Sequence, residues 1–432
     1  MRDRIAALMK RGIALDLLIG LSLKGSGAVA SFGLNLLISR ALGAEGVGAY
    51  QIALATATLL AVASTIGLDT VVLRSVAVAH RRGDTGMARA AIVRSIRVVA
   101  TLGTVIGLAM AALAWPMTHL MMDRPELFLP VLIMALAVPM LALVRTISAS
   151  IRATGSVLLS QSLDGISYTG LSLLVLGTLW LASGGVAVLA PEIVYTSACT
   201  LVMLFGLARI RTMTRGWPHG EQTVSLKSGL RIMVIYLAAF FCDWIAVVTL
   251  GTWHGPAEAG IYRVAVQFGL LFTLVRNSFD QMVGSHIAAR YAEGQYRGML
   301  AIARKTGMVG AALCLPLLLV ILVVPQWLLG LFGPGFVRGA PALMILAVGQ
   351  FIAVTVGPIG TVLDMAHREH IAMRIEIGVT VVTIALFLVL IPLFDLTGAA
   401  MAITIAIVGR AVALLLANRA FIRAMEQPRP NA

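Results

Sequence analysis

Apolar runs of about twenty residues recur from end to end of this chain, and each can cross roughly 30 Å of hydrocarbon as a helix. No other feature restricts the fold as much. Of the 432 residues 59% are hydrophobic and 12% charged, and the mean hydropathy is +0.95, more apolar surface than a water-soluble core can hide. The runs are continuous and rich in Leu and Ala. They do not alternate in short segments, which selects helices over a transmembrane barrel. Helices are expected near residues 13–39, 46–68, 92–114, 125–146, 157–182, 185–207, 228–251, 260–283, 307–330, 340–362, 373–394 and 397–418. The first follows basic residues, as a signal peptide would, but it is too long and lacks a small-residue cleavage site, so it reads as a retained helix.

The chain also repeats itself. Gly43-Ala44-Glu45-Gly46-Val47-Gly48-Ala49-Tyr50-Gln51-Ile52-Ala53 returns 212 positions later as Gly255-Pro256-Ala257-Glu258-Ala259-Gly260-Ile261-Tyr262-Arg263-Val264-Ala265. The pairs Gly43/Gly255, Gly48/Gly260, Tyr50/Tyr262 and Ala53/Ala265 are identical without a gap. Arg82-Gly83-Asp84 then falls near Glu293-Gly294-Gln295, and Trp115-Pro116-Met117 near Val324-Pro325-Gln326, so order is kept over several landmarks. The polar stretch from Arg209 to Lys227 lies at the midpoint and reads as a linker. The expected fold is therefore an all-α polytopic membrane protein of about twelve transmembrane helices. These form two parallel pseudo-symmetric six-helix lobes, residues 1–215 and 216–432, around a central cavity.

The formal charge of +14 is placed as a membrane protein places it. With the N-terminus in the cytoplasm, the inner segments hold 26 of the 33 basic residues and the outer ones only Arg40, Arg124, Arg263 and Arg338. That bias puts both termini on the cytoplasmic side. Trp115, Trp180, Trp253 and Trp327 fall at expected outer helix ends, as an aromatic belt requires. Membrane lipid headgroups, not nucleic acid, are the expected partners of the basic loops. Cys199, Cys242 and Cys314 lie inside apolar runs and read as core residues.

Ionisable residues in the bilayer carry a functional hypothesis, since each costs roughly 2.5 to 3.5 kcal/mol on insertion scales. Lys24, Ser31 and Asn35 form one polar stripe on the first helix. Lys24 either attracts an anion into a wet cavity or snorkels. The 212-residue offset sets Tyr236 against Lys24 and Asp243 against Ser31 on the seventh helix. Asp243 either couples transport to an ion or partners a buried arginine. The eighth helix is the most polar, with Gln267, Arg276, Asn277, Asp280 and Gln281. Arg276 and Asp280 are one turn apart and can pair, and a paired arginine still engages phosphate if the carboxylate lets go. Asp69, Arg74, Arg145 and Arg152 read as solvated residues at the inner boundary. Asp164, Glu192, Gln350, Asp364, Glu376 and Arg410 complete the polar set, with Arg410 deep enough to need a partner. Pro139, Pro316 and Gly357-Pro358-Ile359-Gly360 interrupt helices, either for packing or as a bend that moves. No phosphate-cradling loop, His/Cys metal spacing or nucleophile motif is found, so neither an enzyme, a metal nor a cofactor is expected.

Arg40-Ala41-Leu42-Gly43 through Gly48-x-Tyr50, then Ile66-Gly67-Leu68 with Arg74 beyond, resembles the polysaccharide flippases of the multidrug/oligosaccharidyl-lipid/polysaccharide exporter superfamily. Asp243, Gly260-x-Tyr262 and Leu331-Phe332-Gly333 in the second half are similar to the same family. The resemblance implies two lobes that rock by alternating access to flip an oligosaccharide on a polyprenyl diphosphate across the inner membrane. It implies association with polysaccharide assembly proteins too. Lys24 and Arg276 would then meet the diphosphate, Asn35, Tyr236 and Gln267 the glycan, and Asp243 and Asp280 a coupling ion. The rivals are a drug or cation antiporter of the same superfamily, which would rely on Asp243, and a membrane-embedded glycosyl or polymer transferase. The short outer loops weigh against the transferase.

Overall fold

The computed structural model describes the backbone of residues 2–218, 220, 226–366 and 368–426, with side chains from residue 25 onward apart from 221–228 and scattered single positions. Every described element is helical. In chain order these are α1 (Arg2–Thr65), α2 (Leu68–Arg81), α3 (Thr85–Pro116), α4 (Phe128–Ala153), α5 (Val157–Gln161), α6 (Ser167–Ser183), α7 (Ala190–Met213), α8 (Leu226–Trp253), α9 (Pro256–Ala292), α10 (Tyr296–Val323), α11 (Pro325–Gly330), α12 (Ala340–Val356), α13 (Ile359–Met365) and α14 (Glu369–Glu426). Wider π-turns follow α3 at Met117–Met121 and join α5 to α6 at Ser162–Ile166.

Two of these helices fold back on themselves. In α1, Gln51 Nε2 donates to Asn35 Oδ1 at 2.7 Å. Along a straight helix those residues would stand about 24 Å apart at 1.5 Å per residue. The reversal is at Gly43, whose φ of 69° and ψ of −168° belong to a region essentially reserved for glycine. α14 turns at Phe394 and Asp395, which brings Gly398 so near Leu390 that a Cβ would run into the Leu390 carbonyl oxygen. His254 fastens that turn, with Nδ1 2.8 Å from Asp395 Oδ1 and Nε2 3.2 Å from the Ile391 oxygen. Ten helices among the described residues are long and apolar enough to cross a membrane, and the segments Gly25–Thr65 and His370–Arg423 count once each there although each contains one of these turns. The protein is a multi-pass membrane protein.

The sequence repeat is a repeat of turns. Gly255, the counterpart of Gly43, has φ 101° and ψ 159° and likewise separates two helices. Further positive-φ positions recur in step, at Gly83 and Gly294, Asp123 and Gly333, and Gly184 and Asp395. Burial repeats as well: Val47, Tyr50, Ile52 and Ala53, like Ala259, Tyr262, Val264 and Ala265, are no more than 1% exposed.

By contacts the chain divides into unit 1, Met1–Trp244, and unit 2, Ile245–Ala432. The hub of unit 1 is α4, packed against α1, α2, α3 and α7. Gly103 and Gly107 of α3 let the backbones close up, since a Cβ on either would come within 2.9 Å of Pro139 or the Ala135 carbonyl. In unit 2 the hub is α12, packed against α9, α10 and α14. Gly307 of α10 fits where a Cβ would collide with the Thr355 carbonyl, and Gly310 lies against Val354. Here the hub breaks: α12 stops at Gly357, with φ 80° and ψ −170°, and Pro358 precedes α13. The helix interruption expected at this cluster is present.

One element departs from expectation. The basic segment after residue 68, read as an inner loop, forms the amphipathic α2, which buries Leu68, Val72, Val76 and Ala79 against α3 and α4. Four apolar residues at helical spacing were masked by the arginines between and after them. Trp115, Trp180, Trp253 and Trp327 are exposed, the first three near the ends of α3, α6 and α8 and the last in the short α11.

Candidate functional site

Each unit contains a charged cavity among its own helices. In unit 1, a chamber of ≈ 160 Å³ is lined by Thr58, Arg145, Asp164, Tyr168 and Tyr195. Arg145 comes from the hub α4, and its side chain is only 28% exposed. Its Nη2 lies 3.9 Å from Asp69 Oδ2, and its guanidinium stands 5.5 Å from the centre of the Phe240 ring. Tyr195 of α7 meets Tyr50 and Tyr168 edge-on, at centroid distances of 6.0 and 5.7 Å. Asp164 sits in the π-turn with φ −84° and ψ 17°, outside the helical range. Arg145, expected at the solvated inner boundary, is thus part of an internal polar cluster. Its neighbours come from helices far away in sequence, so no local signal marked it.

In unit 2 the cavity of ≈ 180 Å³ opens at the broken hub. It is lined by Arg276 and Asp280 from α9, Gly357 to Thr361 at the break, Asp364 from α13, and Arg410 from α14. Arg276 and Asp280, expected one turn apart and able to pair, both line this cavity. Arg410 Nε lies 2.7 Å from Glu376 Oε2, which supplies the partner the sequence could not name. The two residues are on opposite limbs of the folded α14, so only the turn at Asp395 makes them neighbours. Asn418 Nδ2 donates to the Ile359 and Leu414 oxygens at 3.0 and 2.8 Å, tying α13 to α14 beside the break. The cavity has two guanidinium groups against two carboxylates, with Glu376 behind Arg410. It can hold an anion by exchange, a phosphate taking the place of a carboxylate on a guanidinium fork. Asp164 and Glu376 are 212 residues apart, the offset of the repeat. It is the one pair of acidic residues that this offset relates.

The other expected site residues are dispersed. Asn35 is 6% exposed and accepts from Gln51. Gln267 is buried on α9, and Tyr236 is exposed on α8. Asp243 is half-buried beside Trp244, whose Nε1 donates to Thr56 Oγ1 at 3.0 Å. The side chain of Lys24 lies outside the described residues. Among the described residues no group of three or more His, Cys, Asp or Glu side chains could hold a metal ion.

Comparison with known proteins decides the family. Residues 16–283, more than half of the chain, match the polysaccharide biosynthesis protein family. The chain belongs to that family. Solved structures of similar fold include an inward-facing multidrug resistance MATE family transporter of the MOP superfamily. It has a TM-score of 0.76 at 14% identity, over 96% of this chain and 100% of that one. The lipid II flippase MurJ in an inward closed conformation gives 0.69 at 13% identity, over 93% and 87%. A MOP superfamily transporter from Pyrococcus furiosus, noted for the reverse polarity of its binding pocket, gives 0.64 at 15%, over 96% and 95%. At such identities the likeness is one of fold. No curated protein matches by sequence. This member of the polysaccharide biosynthesis family thus has the helical architecture of MOP superfamily transporters.

Proposed function

We propose that the protein flips a polyprenyl-diphosphate-linked oligosaccharide across the bacterial inner membrane, by alternating access of lobes 1–215 and 216–432 and with both termini cytoplasmic. The family match is the observation that carries this reading. The charged cavity of unit 2 supports it, because Arg276 and Arg410 offer the fork geometry that suits a diphosphate. Asp280 and Asp364 line the same cavity, so a cargo phosphate that engages the arginines stands beside two carboxylates, and a cation drawn to them relieves the repulsion. Asp280 would in this way link cargo to an ion gradient, and Asp243 is assigned the same role on α8. Lys24 adds cationic charge for the headgroup, while Asn35, Tyr236 and Gln267 are assigned to the glycan.

The test is genetic and chemical. Cells without the protein should accumulate the lipid-linked glycan on the cytoplasmic leaflet and lose surface polysaccharide. Lys24→Ala and Arg276→Ala should fail to restore it while reaching the membrane at normal levels. Full restoration by both variants would overturn the assigned anion contacts. A drug or cation antiporter is the second reading, favoured by the balanced charge of the unit 2 cavity and the fold shared with MATE transporters. It predicts raised sensitivity to ethidium in the deleted strain with surface polysaccharide intact.

A further inference from the structure

The hub of unit 2 is broken at Gly357, but the limb of α14 beside it keeps helical geometry once past Phe394 and Asp395. Two side chains of that limb reach across to the hub. Thr404 Oγ1 donates to the Ile345 oxygen in α12 at 3.1 Å, and Asn418 Nδ2 donates to the Ile359 oxygen in α13 at 3.0 Å. Each acceptor lies 59 residues before its donor. The broken helix and the unbroken limb therefore count off equal numbers of residues between the two bonds, one on each side of the break. The limb acts as a splint.

The two halves of the hub need that support unequally. α12 has 17 residues and packs along α9, α10 and α14, whereas α13 has seven. So short a helix takes its place from its neighbours. Ile359 and Leu363 pack against Leu414, but apolar contact has no direction and lets a two-turn helix rotate or slide. A hydrogen bond does have direction. Asn418 is fully buried and meets two carbonyl oxygens, those of Ile359 and Leu414, so its NH2 end must face both. Its Oδ1 is left buried without a hydrogen-bond partner, a cost that leucine would avoid. Both carbonyls also have the helical N–H four residues on, so the amide contributes position more than stability. What it positions is chemical: α13 carries Thr361 and Asp364 into the cavity wall, and the α14 limb carries Arg410.

We propose that Asn418 is a positioning residue for the unit 2 cavity, pinning α13 so that Thr361 and Asp364 keep a fixed place relative to Arg410. The proposal rests on the reading that this cavity takes the cargo diphosphate. It adds a residue outside the lining that sets the charge around that group.

The experiment titrates full-length protein in lipid nanodiscs with farnesyl diphosphate and follows heat denaturation alongside. Asn418→Leu should bind about five- to ten-fold more weakly, the size of coupling within one local network, at a melting temperature close to the parent's. Asn418→Ser should do the same, because its shorter side chain bonds back to its own helix and not to α13. Thr404→Val removes the other bond and should leave affinity unchanged, since α12 is held along its length. With Asp364→Asn already present, Asn418→Leu should cost less than about two-fold, since a displaced α13 then carries no charge. Undiminished affinity in either Asn418 variant would overturn the assignment, and so would an equal loss in Thr404→Val or beside Asp364→Asn. Loss of the melting transition in both Asn418 variants would overturn it too, by making the residue structural. Each of these outcomes leaves the flippase reading in place. Failure of the parent to bind farnesyl diphosphate would overturn both.

Discussion

Replacing Gly43 by alanine isolates the turn on which unit 1 is folded. A Cβ there would meet no atom within 4 Å, so Gly43→Ala creates no clash. The whole penalty is backbone, since φ 69° and ψ −168° lie where only glycine is comfortable, a cost of about 1–3 kcal/mol. Gly409 provides the control. It too has nothing within 4 Å, but it sits inside the second limb of α14. Gly409→Ala should therefore stabilise by about 0.5–1 kcal/mol. Two identical substitutions in equally empty surroundings should shift stability in opposite directions, about 1.5–4 kcal/mol apart. Heat denaturation in a mild detergent reads the order of the two variants around the parent. A second readout is local: Asn35→Cys with Gln51→Cys, in a background lacking Cys199, Cys242 and Cys314, should form a disulfide readily with Gly43 and more slowly with alanine there. Gly43→Ala as heat-resistant as Gly409→Ala, with undiminished 35–51 cross-linking, would refute the argument that this backbone geometry sets the turn.

Asn35→Leu should destabilise unit 1 by about 1–3 kcal/mol, because it removes the buried acceptor of the Gln51 amide. Adding Gln51→Leu should recover much of that loss, and a double-mutant cycle in the same denaturation assay checks it. Arg276→Ala and Arg410→Ala should each lower cargo affinity at least about ten-fold, whereas lysine at either place should rescue only partly, having charge without the two-pronged fork. Binding of farnesyl diphosphate measures this. Asp243→Asn should alter the dependence of transport on a proton or sodium gradient, read by collapsing each gradient in turn with ionophores.

How much of this was legible in sequence differs from residue to residue. The repeated block at Gly43 and Gly255 marked both reversals, because a turn that only glycine can make leaves glycine at a fixed offset. Tyr50 and Tyr262 were visible as paired landmarks for a related reason: both are sealed in their own cores. Arg276 and Asp280 could be placed together because helical spacing alone makes them neighbours. Arg145 could not be joined to Asp164, Tyr168 and Tyr195, since that cluster depends on how three helices and the π-turn pack. Glu376 and Arg410 are joined only because α14 folds back at Asp395, which no local pattern announces, although the depth of Arg410 calls for a partner. α2 is hidden in the sequence because its arginines dominate the charge pattern while its apolar stripe is only four residues long.

The most direct test is translocation by the purified protein alone. In proteoliposomes loaded asymmetrically with a polyprenyl-diphosphate-linked oligosaccharide, the protein should make the glycan accessible on the opposite leaflet, and Arg276→Ala should not. Liposomes in which the glycan stays on its original leaflet, while a cationic dye is exchanged for protons or sodium, would contradict the account.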